Sequence, residues 1–166
     1  MIINLYLNED EERPVFEVML NGKLISALFD TGAECITFTG DTETLNKYAL
    51  KPTGNTCNLS GFGGGGQLCN IYTGTISIVQ SGRFIKFDEV EIVEHELKTL
   101  SDFKIVLPVT LFKLFDIRLY SSNNRRFLEI DTHRDDKITY KTVHKDNGAI
   151  SEVLCNTSFS VMKSLL

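Results

Sequence analysis

Apolar and polar residues alternate along much of this chain with a period of two, the spacing that puts every second side chain on one face of a strand. Val15-Phe16-Glu17-Val18-Met19-Leu20 is rich in β-branched and aromatic residues. The Asn21-Gly22 pair after it is a strong hairpin signal, because both residues tolerate positive φ. Lys23-Leu24-Ile25-Ser26-Ala27-Leu28-Phe29 reads as the returning strand and runs directly into Asp30-Thr31-Gly32, and another apolar stretch follows at Cys35-Ile36-Thr37-Phe38. Residues 40 to 56 are polar and punctuated by Gly40, Pro52 and Gly54, with a short helical turn at Thr44-Leu45-Asn46-Lys47-Tyr48.

Alternating segments from Thr56 to Ser60 and from Leu68 to Val79 flank Gly61-Phe62-Gly63-Gly64-Gly65-Gly66-Gln67. Two strands joined by such a tip make a mobile hairpin, since glycine adds backbone freedom and no packing side chain. Ser81-Gly82 turns the chain into a clearly alternating strand from Phe84 to Val93. Lys104 to Leu107 is a short buried strand, and Pro108 opens a short helix to Phe115, because its missing N–H costs nothing in a first turn. Ile117 to Tyr120 and Phe127 to Ile130 read as a hairpin about Ser121-Ser122-Asn123-Asn124. Residues 131 to 150 are polar, and Glu152 to Leu166 shows no clear period. The fold class expected is mainly β with one or two short helices.

At 166 residues the chain fits one domain with an appended tail. The net charge of −5 argues against a nucleic-acid partner, which a basic stripe would meet. Neither a secretory leader nor an apolar run of the roughly 20 residues needed to cross a bilayer is visible, so the expectation is a cytoplasmic protein with no membrane partner. Cys35, Cys57, Cys69 and Cys155 lie far apart, as do His95, His133 and His144, so neither a metal site nor a cofactor is expected and the cysteines read as free thiols. The run from Gly61 matches Gly-x-Gly-x-x-Gly, but a phosphate loop needs a helix directly after it, and here a strand follows.

The chemistry concentrates at Asp30-Thr31-Gly32. A buried strand delivers a carboxylate into a glycine turn in an apolar setting, with Ala33, Ile36 and Phe38 beyond it. An ordinary post-strand turn also favours Asp and Gly, and is the plain alternative. An aspartic peptidase needs two carboxylates close enough to share one proton, because two like charges at that distance do not both ionise. The ionised member acts as general base on a water, and the protonated member donates to the scissile carbonyl. The chain holds no second Asp-Thr-Gly or Asp-Ser-Gly, since Asp41-Thr42 and Asp131-Thr132 lack the glycine. One motif supplies one carboxylate, so a working dyad requires a homodimer with an Asp30 from each chain.

On these residues the segment from 14 to 130 resembles the retropepsins, the retroviral-type aspartic proteases. The resemblance implies a retropepsin-like acid-protease β-barrel, one lobe per chain, with a flap hairpin tipped by Gly61 to Gln67. It implies catalytic roles for Asp30, Thr31 and Gly32, and contact with a polypeptide substrate at Ala33, Glu34, Gly61, Phe62, Gly63 and Gly64. Residues 1–13 are then an amino-terminal segment, and 131–166 a carboxy-terminal extension suited to dimer contacts. Leu107 stands where retropepsins usually carry a glycine after two apolar residues, which implies a displaced loop or a shifted alignment. That departure supports a second reading, a catalytically inactive module that dimerises or binds peptides.

Overall fold

The computed structural model describes residues 1–8, 12–39, 42–59, 66–95, 103–122, 125–134 and 138–155. Twelve strands dominate: β1 (Ile2–Tyr6), β2 (Val15–Leu20), β3 (Lys23–Asp30), β4 (Ile36–Phe38), β5 (Lys51–Leu59), β6 (Gln67–Gln80), β7 (Arg83–Glu94), β8 (Ile105–Pro108), β9 (Asp116–Ser122), β10 (Arg125–Asp131), β11 (Ile138–His144) and β12 (Ile150–Cys155). One short helix, α1 (Thr42–Lys47), and one 3₁₀ turn, Val109–Phe112, complete the described elements. The mainly β class expected from the alternation is the class observed.

Within the larger, nine-stranded sheet the order β7-β4-β8-β3-β2-β6 closes on itself through a β6–β7 pairing, which makes a six-stranded barrel. Closure leaves those strands without open edges. The barrel mixes directions: β3 runs parallel to β8 and β4 parallel to β7, while β2–β3, β4–β8 and β6–β7 are antiparallel. Its interior is the main apolar core, which includes Phe16, Ile25, Phe29, Phe38, Phe87, Leu107 and Phe112. Phe112 sits 5.8 Å from Phe29 and 5.9 Å from Phe87 between ring centroids, the spacing of favourable aromatic pairs.

The hairpin predicted at Asn21-Gly22 joins β2 to β3, with φ of 47° and 80° at the two turn residues. Asn21 also ties three segments together. Its Nδ2 donates to the carbonyls of Tyr48 (2.8 Å) and Ala49 (3.2 Å), and its Oδ1 accepts from the Thr75 N–H (2.8 Å). Beyond α1, β5 starts at Lys51, several residues ahead of the alternating segment, and pairs with β6 into the hairpin that carries the glycine-rich tip.

Two regions differ from what their patterns suggest. Residues 2 to 6, which are not among the strands expected above, form β1 and pair with β10, which in turn pairs with β9 in a separate three-stranded sheet. The polar stretch beyond 131 holds β11, which adds to β7 in parallel, and β12, which pairs with β11. β11 itself is rich in β-branched and aromatic residues, and it takes one neighbour, β7, from far away in sequence and the other, β12, from the adjoining hairpin. Among the described residues no helix is long and apolar enough to cross a membrane.

Candidate active site

Asp30 is the last residue of β3. The alternation that buries Ile25, Ala27 and Phe29 in the main core puts Leu28 and Asp30 on the opposite face. Asp30 is half-buried, and Thr31 and Gly32 beyond it are exposed. The turn grips the carboxylate, since the Gly32 N–H donates to Asp30 Oδ1 at 2.8 Å. A Cβ on residue 32 would lie 3.3 Å from that same oxygen, so glycine here provides clearance for the carboxylate rather than an unusual φ. The Thr31 hydroxyl has no hydrogen bond among the described residues.

Behind the turn, the parallel register sets Phe29 beside Leu107 and Asp30 beside Pro108. Leu107 is fully buried and joins Phe29, Leu111 and Phe112 in the main core, on the face away from Asp30. The leucine that departs from the retropepsin pattern therefore fills core volume instead of crowding the turn. Val106, its neighbour, points the other way and packs with Val15, Leu28 and Phe103.

A cavity of about 410 Å³ opens beside Asp30 and brings Gly32, Ala33 and Glu34 to the same place. Of the residues expected at the site, Thr31 is not among its walls. Gly61, Phe62, Gly63 and Gly64 lie outside the described residues. The base of their hairpin does reach the cavity, through Asn58 and Leu59 of β5. Other walls were not expected from the sequence, among them Cys35, Thr37 on β4, Val106 on β8, and Asn147 and Ala149 in the turn between β11 and β12.

That turn is tightly held. The Ile150 N–H donates to the Glu34 carbonyl (3.1 Å), and Ala149 bridges to Cys35. The Ala149 N–H donates to Asn147 Oδ1 (3.1 Å). At Gly148, with φ of 80°, a Cβ would come within 2.7 Å of Val93 Cγ2, so only glycine lets the turn approach β7 this closely. His144 clamps it from behind. Its Nε2 accepts the Glu91 N–H at 3.1 Å, so Nδ1 carries the proton and donates to the Gly148 carbonyl at 3.0 Å.

Two walls have notable electrostatics. Burial pushes the Cys35 thiol up to about 12, with Cys57, Glu34 and Cys69 adding to the shift. Cys35 is therefore a neutral thiol, in an apolar cluster with Cys57 and Cys69, and its chemistry is not that of a nucleophile. Thr37 is 6% exposed, and its hydroxyl oxygen is buried with no hydrogen-bond partner among the described residues.

A scan against protein-family models finds no match. A search of curated proteins finds none either. Among solved structures, the chain is similar to a retropepsin-like aspartic protease from Rickettsia conorii, at 20% identity and a TM-score of 0.49, over 78% of this chain and 90% of that one. It is also similar to the EIAV protease complexed with the inhibitor HBY-793, at 21% identity and a TM-score of 0.38, over 64% of this chain and 90% of that one.

Proposed function

We propose that this chain is one half of an aspartic endopeptidase, in which two copies each contribute Asp30 and a water held between the carboxylates attacks the scissile peptide bond. The observation that carries the reading is the carboxylate at the end of a barrel strand, gripped by the Gly32 N–H and opening on a cavity bordered by Asn58 and Leu59 at the end of β5. One carboxylate of the dyad accepts the proton of the attacking water while the other, protonated, donates to the carbonyl oxygen. The exposed Thr31-Gly32 turn is free to meet its twofold copy. A polypeptide bound in extended form would lie along the floor beneath the hairpin, its main chain giving affinity and its alternate side chains entering pockets. Leu107, the main support for an inactive module, sits in the core and leaves the turn unobstructed.

Hydrolysis of a mixed peptide library from acid to neutral pH, by the wild-type chain and by Asp30→Asn, tests the reading. Cleavage should vanish in the variant, and its specific rate should rise with protein concentration across the dimerisation range. A folded dimer that cleaves nothing refutes the peptidase. Peptide binding that survives in Asp30→Asn, with no turnover in either protein, assigns the chain to the binding-module class instead.

A further inference from the structure

Two cysteines face each other across the β5–β6 ladder. The antiparallel register sets Cys57 directly opposite Cys69, with Asn58 opposite Leu68 and Leu59 opposite Gln67 next to them. Directly opposed residues put their side chains on one face, with Cα and Cβ separations both about 4.5–5.5 Å. A disulfide needs Cα atoms about 4.4–6.8 Å apart and Cβ atoms about 3.5–4.5 Å apart, so the backbones are in place and the side chains need a small approach. Both thiols are free and buried, in one apolar cluster with Cys35, Ile71 and Val93. The Cys69 thiol donates to the Gln67 carbonyl of its own strand at 3.4 Å, and a change of χ1 rotamer is the motion that turns it toward Cys57.

The plain alternative is a pair of small hydrophobes filling space. Position separates the two readings. β5 is an edge strand of the larger sheet, and Thr56 and Asn58 on either side of Cys57 are exposed, so fraying of the edge admits a small oxidant to the pair. Burial raises both thiols, so the reaction starts from the opened edge rather than the closed one. Cys35, the third thiol, lacks that access. It precedes β4, a strand paired on both sides, bridges to Ala149, and is pushed up to about 12 by burial, so it does not compete for either sulfur.

We infer that Cys57 and Cys69 are a reversible disulfide pair which, oxidised by a hydroperoxide, staples β5 to β6 beside the Asp30 cavity. Asn58 and Leu59, the next residues of β5, are walls of that cavity, so the staple ties its border to the redox state of the surroundings. The Cys57 thiolate attacks the hydroperoxide, and an S–O bond forms as the O–O bond breaks. The Cys69 thiolate then attacks the sulfenic sulfur, forming the S–S bond as the S–O bond breaks. The two thiol protons go to the departing alkoxide and hydroxide, and the two electrons lost by sulfur reduce the peroxide bond. The Cβ approach that closure requires is taken up as strain, which leaves the bond open to reduction by a dithiol through exchange.

The test treats the reduced full chain with hydrogen peroxide, then alkylates, digests and maps it by mass spectrometry. Wild type, Asp30→Asn and Cys35→Ala should each lose the mass of two hydrogen atoms, yield a linked Cys57–Cys69 peptide, and regain both thiols in dithiothreitol. Cys57→Ala and Cys69→Ala should form no such link. In oxidised wild type the amides of β5 and β6 around the pair should exchange hydrogen about 10-fold or more slowly than in the reduced protein, because the cross-link restricts the opened strands.

Wild type that keeps all four thiols, links Cys35 or Cys155 instead, or stops at the sulfenic acid overturns the inference. A Cys57–Cys69 bond that forms only in urea, or that leaves exchange unchanged, does so too. The inference stands apart from the peptidase reading: Asp30→Asn should form the bond whether or not wild type cleaves peptides.

Discussion

Placing at position 107 the glycine that retropepsins usually carry should damage this protein rather than improve it. Leu107 is 0% exposed and packs with Phe29, Leu111 and Phe112, on the core side of β8. Truncating a leucine at such a site costs about 3–5 kcal/mol, because the transfer energy is lost and the surrounding side chains close the hole only in part. Leu107→Ala should fall in that range. Leu107→Gly adds about 0.5–1 kcal/mol for the backbone freedom of glycine in a strand. Against a total stability of about 5–15 kcal/mol, either loss is a large fraction. For a chain of this size about 2–4 °C of melting temperature goes with each kcal/mol, so Tm should drop by roughly 6–20 °C in Leu107→Ala and roughly 7–24 °C in Leu107→Gly. Urea titration of wild type, Leu107→Ala and Leu107→Gly provides the measurement, and the midpoint should move while the slope does not. The side chain lies on the face away from Asp30, so peptide cleavage per folded molecule should be retained at a temperature where the variants are folded. A loss below about 1 kcal/mol would refute this reasoning, since it would mean Leu107 does not fill the core as described.

Two further outcomes follow from the same packing. Asn21→Ala removes the bonds to Tyr48, Ala49 and Thr75 and forces alanine into a φ of 47°, so it should cost about 2–4 kcal/mol in urea titration. Asn21→Gly relieves the backbone part alone, and equal losses in the two variants would contradict the split. For Cys35, burial raises the folded-state thiol from 9.0 to about 12, so the unfolded chain releases its proton first as pH rises. The contribution is fully present below pH 9.0 and is lost between 9.0 and about 12, so the alkaline fall in stability should be shallower in Cys35→Ala than in wild type. Parallel pH profiles of the urea midpoint would show that Cys35 is not the group responsible.

Local pattern determined a good part of this protein. The period of two from Val15 to Phe29, interrupted by the only residue pair there that accepts two positive φ values, specified the hairpin β2–β3 and its register. The same period decided that Phe29 faces the core and Asp30 faces out, so the candidate catalytic carboxylate and its glycine turn were legible residue by residue. The glycine-rich segment likewise marked the connection between β5 and β6, which pair antiparallel.

Tertiary structure alone decided the rest. Strands β1 and β11 are rich in β-branched and aromatic residues, but only the fold decides that they pair with β10 and β7, more than fifty residues away. Leu107 reads as a defect in a family pattern until the β3–β8 register turns its side chain into the core. Thr37, Asn58 and Asn147 look unremarkable in the sequence, where nothing shows that three distant segments converge on one cavity beside Asp30. The physical division is one of range: alternation and turn chemistry act between neighbours and are written in neighbouring residues. Sheet pairing and cavity walls join residues by backbone hydrogen bonds and shape, which almost any side chain permits and none announces.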